Sequence, residues 1–171
     1  MTTPPRPTPA RPSTRRTRRA AARLAAVQAL YQIDLASADP DIVIAEFKGH
    51  RLREDDGTDV DTDFFTEIVA GTQARREEID GLLASLLAEG WTMARLESVL
   101  RAILRAAAFE MLARGDVPAR VVIDEYVNIA HAFSAGKETA FINGVLDRLG
   151  RRTRPDEFEG QPRAPENAPG R

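Results

Sequence analysis

Between residues 14 and 152 the apolar side chains recur at intervals of three and four, the spacing of one helix face, and alternating β-branched runs are scarce. This pattern predicts a first helix over about Thr14 to Ser37, with Leu24, Val27, Leu30, Tyr31 and Leu35 as its buried stripe. A shorter helix follows Pro40 over Ile42, Ile44 and Phe47, and Glu54 to Asp61 reads as a solvated acidic loop. Asp61 or Thr62 caps a third helix carrying Phe64, Phe65, Ile68 and Val69. That helix continues or restarts through Ile79, Leu82, Leu83, Leu86 and Leu87 and stops at Gly90. Thr92 is expected to open the next, with Leu96, Val99, Leu100, Ile103, Leu104, Ala107 and Met111 turned inward and Glu97, Arg101 and Arg105 turned to water. Gly115 and Pro118 turn the chain into helices over about Pro118 to Phe133 and Lys137 to Arg151. In the second of these, Phe141, Val145 and Leu149 share one face. Amphipathic helices joined by short turns predict a compact all-α bundle.

Proline marks where that bundle ends. Nine of the 11 prolines lie outside about residues 13 to 154, and only Pro40 and Pro118 fall inside. Residues 1–14 and 153–171 are therefore expected to be disordered tails around one helical domain spanning 15–152, with no internal repeat.

Charge changes the picture more than composition does. The formal net charge of -2 averages two unlike regions: Arg6, Arg11, Arg15, Arg16, Arg18, Arg19 and Arg23 precede any acid, and the other 17 bases face all 26 acids. An arginine-only start on an acidic body suggests a polyanion contact, since each phosphate neutralised releases counterions. A solubilising or targeting tail is the plainer alternative. Arg23, Gln28, Gln32 and Asp34 interrupt the apolar stretch that follows, so it offers neither a signal-peptide core nor a membrane span. The absence of cysteine removes disulfides and sulfur-ligated zinc and fits a cytoplasmic location.

Residues suited to reaction chemistry are scarce. The 11 glycines form neither GxGxxG nor GxxxxGK[ST], and His50 and His131 lack the i, i+4 partner of a helical metal site. Glu77, Glu78 and Asp80 suit a solvated face, and Asp124 and Glu125 a helix start. Glu110 is less ordinary, because Leu96, Ile103 and Glu110 repeat at seven and place a carboxylate beside the core. Its expected structural role is to accept hydrogen bonds from the free amides of the helix after Pro118. What remains is a binding surface: Arg15, Arg19 and Arg23 fall four apart along the first helix, flanked by Arg16 and Arg18. Tyr31, Phe133 and Phe141 are candidates for stacking on bases, or for plain core positions.

Three strings carry a resemblance: RLAAVQALYQIDL (Arg23 to Leu35), VLRAILRAAAFEM (Val99 to Met111) and FINGVLDRL (Phe141 to Leu149). VPARVVIDEYVNIAHAF lies between the last two. In content, order and spacing they resemble the NusB family of transcription antitermination factors over about residues 15 to 152. The resemblance implies six to seven helices in two small bundles and no enzyme activity or cofactor. It implies binding to single-stranded boxA RNA of ribosomal RNA leaders together with NusE, a small-subunit ribosomal protein, within an antitermination complex that includes RNA polymerase and other Nus factors. It assigns RNA contacts to Arg15, Arg16, Arg18, Arg19 and Arg23 and to the segment holding Phe133, Lys137 and Phe141, and it places Tyr31 near the partner protein.

Two departures stand out. Ala20 to Ala22 replace part of the family's denser basic run, and Leu100 stands where some members carry an acid that meets the partner. Lys137, at a position that varies in the family, favours RNA by charge rather than by base reading. The rival readings are a helical RNA-binding or adaptor module without an antitermination role and a DNA-binding regulator, for which no turn-and-recognition-helix pair is legible.

Overall fold

The computed structural model describes residues 14–53, 59–133 and 136–164, and every regular element among them is helical. Seven α-helices follow in order: α1 (Arg15–Ala36), α2 (Pro40–Gly49), α3 (Thr62–Ala74), α4 (Arg76–Ala84), α5 (Ser98–Ala113), α6 (Ala119–Phe133) and α7 (Gly136–Thr153). Short 3-10 turns occupy Arg51–Arg53, Met93–Arg95 and Pro155–Phe158. The expected disorder of the first thirteen and last seven residues, and the solvation of Glu54 to Thr58, lie outside the described residues.

Short polar side chains start the helices where the sequence suggests. Thr14 Oγ1 accepts the Thr17 amide at 3.2 Å, Asp39 Oδ1 accepts that of Asp41 at 2.8 Å before Pro40 enters α2, and Asp61 Oδ1 accepts that of Phe64 at 3.0 Å. At the end of α1, Ser37 takes the left-handed conformation (φ 49°) and returns its amide to Ile33.

Helix α5 organises the interior. It is buried from Ala102 through Met111 without a break, wider than the expected stripe, because Ala102, Ala106, Ala107 and Ala108 give it small sides that neighbours approach closely. On one side α1 and α3 pack against it with α2 across them; on the other α6 and α7 pair with each other and with α5, and α4 rests on it separately. Two small bundles thus share one central helix. Gly71 of α3 lets the Phe109 ring of α5 come close, since a Cβ there would stand 2.2 Å from two ring carbons.

Several expectations are corrected. Thr92 precedes only the 3-10 turn, and α5 begins at Ser98 after Glu97. Arg101 and Arg105 do not face water. Arg105 is 5% exposed and bidentate on Asp80 at 2.8 and 2.9 Å, and Arg101 donates to Asp34 at 3.0 and 3.1 Å. With Arg76 at 3.3 Å from the same aspartate, these pairs fasten α1, α4 and α5 together, so Asp80 is not a purely solvated acid. Asp34 is held below the usual carboxylate range: burial alone would raise it, and the Arg101 and Arg105 guanidiniums outweigh that.

The expected C-terminal tail also begins too early. Beyond α7, Arg154 donates to the carbonyls of Met111, Arg114 and Val117 and so closes the end of α5, while Glu157 Oε2 accepts the Ala119 amide at 2.7 Å and starts α6. Phe158 is buried against Gly150, where a Cβ would come within 2.5 Å of the ring. The carboxylate at the start of α6 is therefore Glu157 and not Glu110.

Candidate nucleic-acid interface

Helix α1 carries its arginines into three environments, because it enters the bundle as it proceeds. Arg15 and Arg16 are exposed in the first turn of the helix, which holds no acid. Positive side chains there oppose the helix dipole, whereas an anion bound there would be favoured by dipole, amides and guanidiniums together. Arg16 has Glu125 at 3.9 Å, too far for a hydrogen bond.

Arg18 and Arg19 come next, at the seam with the approach to α3, which the Asp61 amide pins to the Arg18 carbonyl at 3.2 Å. Arg18 Nε stands 2.8 Å from Asp59 and Arg19 Nε 4.0 Å from Asp61, yet neither buried Nε makes an aligned hydrogen bond. These contacts are therefore Coulombic rather than hydrogen bonds. Phe64 orients the cluster: Arg19, Arg23 and Arg114 guanidiniums lie 4.9, 5.1 and 5.2 Å from its ring centre. Arg114 also holds Asp116, whose carboxyl drops to about 2 through that hydrogen bond.

Arg23 is corrected from an RNA contact to a core residue. It is 3% exposed, its Nε and Nη2 grip the Glu110 carboxylate at 3.0 and 2.5 Å, and Glu110 is wholly buried. Burial disfavours the Arg23 charge, but Glu110 outweighs it and raises the guanidinium further above its ordinary value. Tyr126 packs beside them; burial first, then Glu110, push its phenol well above the usual range, so it stays neutral. The period of seven in the sequence placed Glu110 at the core correctly; its partner, 87 residues away in the chain, carried no local signal.

Phe141 is corrected likewise. It has no exposed surface and lies inward with Val145 and Leu149, as their shared helix face already indicated. Lys137 is exposed at the start of α7. Phe133 is 47% exposed but lies with Tyr31, 39% exposed, in one groove of about 850 Å³ that Leu35, Val27, Val99 and Arg51 also line. Leu100, at the position of a partner-facing acid in some family members, is 3% exposed and belongs to the core.

Two open surfaces therefore flank α1. One, of about 770 Å³, runs between its first turns and the start of α6, with Arg15, Arg16 and Arg19 on one wall, Asp116, Asp124 and Glu125 opposite, and Pro118 and Val121 between them. The other is the apolar Tyr31 groove at the far end of the helix. Among the described residues no cluster of acids and histidines could hold a metal ion, and no helix is long and apolar enough to cross a membrane.

The model of the NusB family matches residues 20–151. Transcription antitermination protein NusB of Rhodopseudomonas palustris is 48% identical over 145 residues, which cover 82% of this chain and 83% of that one. NusB of Maricaulis maris is 48% identical over 152 residues, covering 86% and 95%. Among solved structures, T. maritima NusB superposes with a TM-score of 0.69 at 29% identity over 82% of this chain and 96% of that one. Antitermination factors NusB and NusE in complex with double-stranded RNA include a chain that matches with a TM-score of 0.68 at 25% identity, covering 81% and 99%.

Proposed function

The chain belongs to the NusB family, and from that premise we propose that it is a transcription antitermination factor that binds boxA RNA of ribosomal RNA leaders together with NusE, in an antitermination complex with RNA polymerase and other Nus factors. The relatives' shared name as antitermination proteins, and the structural match to a NusB–NusE–RNA complex, support this reading. It is a binding function without catalysis or cofactor, exercised in the cytoplasm.

The observation that carries the RNA reading is the amino end of α1. Arg15 and Arg16 are exposed in the acid-free first turn of the helix, with Arg18 and Arg19 one turn further in. Phosphates fit the guanidiniums of this turn by charge and the start of the helix by its dipole. Arg23 contributes from inside by fixing α1 against α5, and Lys137 adds charge at a second point. For NusE, the Tyr31 groove offers exposed aromatic and aliphatic anchors, with Phe133 and Leu35 beside the tyrosine.

Fluorescent boxA RNA and a scrambled control, titrated with and without NusE at several salt concentrations, test the proposal. The expected result is a preference for boxA that sharpens with NusE. In Arg15→Ala/Arg16→Ala the salt slope should fall by about 0.7 for each phosphate no longer neutralised. Equal binding to both RNAs, indifferent to NusE, would leave an adaptor with a general polyanion contact.

A further inference from the structure

The last turns of α7 carry a second concentration of arginine. Arg148, Arg151, Arg152 and Arg163 line a groove of about 360 Å³ whose one acid is Asp147. That aspartate is 3% exposed and already occupied by Arg151 at 2.9 Å and the Ala164 amide at 3.3 Å. Four guanidiniums thus face one neutralised carboxylate.

Capping the end of α7 does not account for this cluster. Arg154 takes up backbone carbonyls, but those of α5 and the following corner; Arg148 donates to the Leu86 carbonyl at 3.1 Å and Arg152 to Ser85 Oγ at 3.1 Å. Both are neutral acceptors that use one N–H each of five. Among the described residues neither of these arginines, nor Arg163, has a carboxylate within ion-pairing distance. Asp156 and Glu159 are exposed on the neighbouring turn but do not line the groove, and Glu157 is turned to the Ala119 amide.

The groove shares no lining residue with the α1 site, but Phe158 relates it to the start of α6. The Phe158 ring centre lies 5.2 Å from the Arg151 guanidinium and 5.7 Å from that of Arg120, which sits in the first turn of α6. Pro118 and Val121 of that same turn floor the surface beside Arg15 and Arg16. Arg120 thus lies near Arg151 of the groove and next in sequence to Val121 of the α1 surface, which Asp116, Asp124 and Glu125 also line.

We propose that the α7 arginine groove is a second phosphate-binding surface, which holds RNA flanking the element bound at α1 and so extends the contact along the same strand. This rests on the RNA-binding reading above. It assigns the groove to the sugar-phosphate backbone, because guanidiniums without aromatic neighbours inside the groove bind phosphate without reading bases.

The experiment compares a boxA-only RNA with the same RNA lengthened at its 5′ or its 3′ end, over a salt series, using the full chain and Arg152→Ala/Arg163→Ala. Wild type should bind one lengthened RNA more tightly and with a steeper salt dependence. The double variant should lose that gain, lowering the slope on the long RNA by about 1.4 for two phosphates while leaving the short RNA unchanged. Arg152→Lys/Arg163→Lys, which keeps the charge, should retain most of the gain, and an unchanged melting temperature shows that folding is intact. Equal affinity of wild type for short and long RNA, or long-RNA binding unaffected by the variants, overturns the proposal and leaves the groove to an acidic protein surface. Loss on both RNAs alike also overturns it. Absence of any boxA preference in wild type would instead strike the primary reading, which the short RNA tests separately.

Discussion

The two ends of the molecule where arginine collects use it in opposite ways. At α1 the deepest arginine, Arg23, is matched by a buried carboxylate, and its neighbours toward the surface have acids close by but poorly aligned. Beyond α7 the deepest, Arg154, is matched mainly by main-chain carbonyls, and the groove its neighbours line holds one acid, Asp147. A buried ion pair commits both partners, because removing either strands a charge away from water. Carbonyls at a helix end are neutral dipoles, so losing their donor strands no charge. The same side chain is thus indispensable at one end and helpful at the other.

The largest effect should come from breaking the first arrangement. Arg23→Ala leaves Glu110 charged and buried, and should lose about 3–5 kcal/mol in urea denaturation. Replacing both partners, Arg23→Met with Glu110→Leu, should recover most of that loss, since apolar side chains of similar size need no partner. A double variant as unstable as the single one would mean that the pair does more than neutralise itself. Arg154→Ala comes second, with an expected cost of about 1–3 kcal/mol for the carbonyls it leaves, read by the same method.

The smallest effect is the pH response. Asp34 and Asp116 both titrate below their ordinary value of 3.8 in the folded chain, Asp116 at about 2, so each stabilises the fold above pH 3.8. That contribution disappears as pH falls from 3.8 through the folded values, because the unfolded chain takes up protons first. Thermal melts between about pH 7 and pH 2 should show a decline confined to that acid window. The deficit of Arg154→Ala should not change there, because carbonyls do not titrate; a deficit that shrank in acid would implicate Glu157 rather than the carbonyls.

Most of the fold was legible because it is written locally. Asp39-Pro40 and Asp61 start helices with their own side chains, and the spacing by fours of Phe141, Val145 and Leu149 declared a buried face. That spacing was a better guide to Phe141 than the family resemblance, which had put the residue on the RNA. What stayed hidden depends on long-range pairing. Arg105 reads as a solvent-facing arginine until Asp80 meets it across helices, and Arg23 reads as the next step of a surface strip until Glu110 meets it. Phe158 follows Pro155 in a polar, proline-containing stretch, so nothing local marked it as packed. Of the candidate site, the exposed start of α1 was foreseen. That Tyr31 and Phe133 share a groove was not, since they lie on helices far apart in sequence.

The corner between α5 and α6 is closed from a distance: Arg154 supplies its donors and Glu157 its acceptor, each reaching back 37 or more residues. On the ribosome this corner emerges with its main-chain groups open to solvent and stays so until the whole of α7 has been made. The starts of α1, α2 and α3 have no such dependence, because each is capped by a neighbouring side chain. The starts of the first three helices can therefore form as they emerge, while the corner between α5 and α6 waits for Arg154 and Glu157.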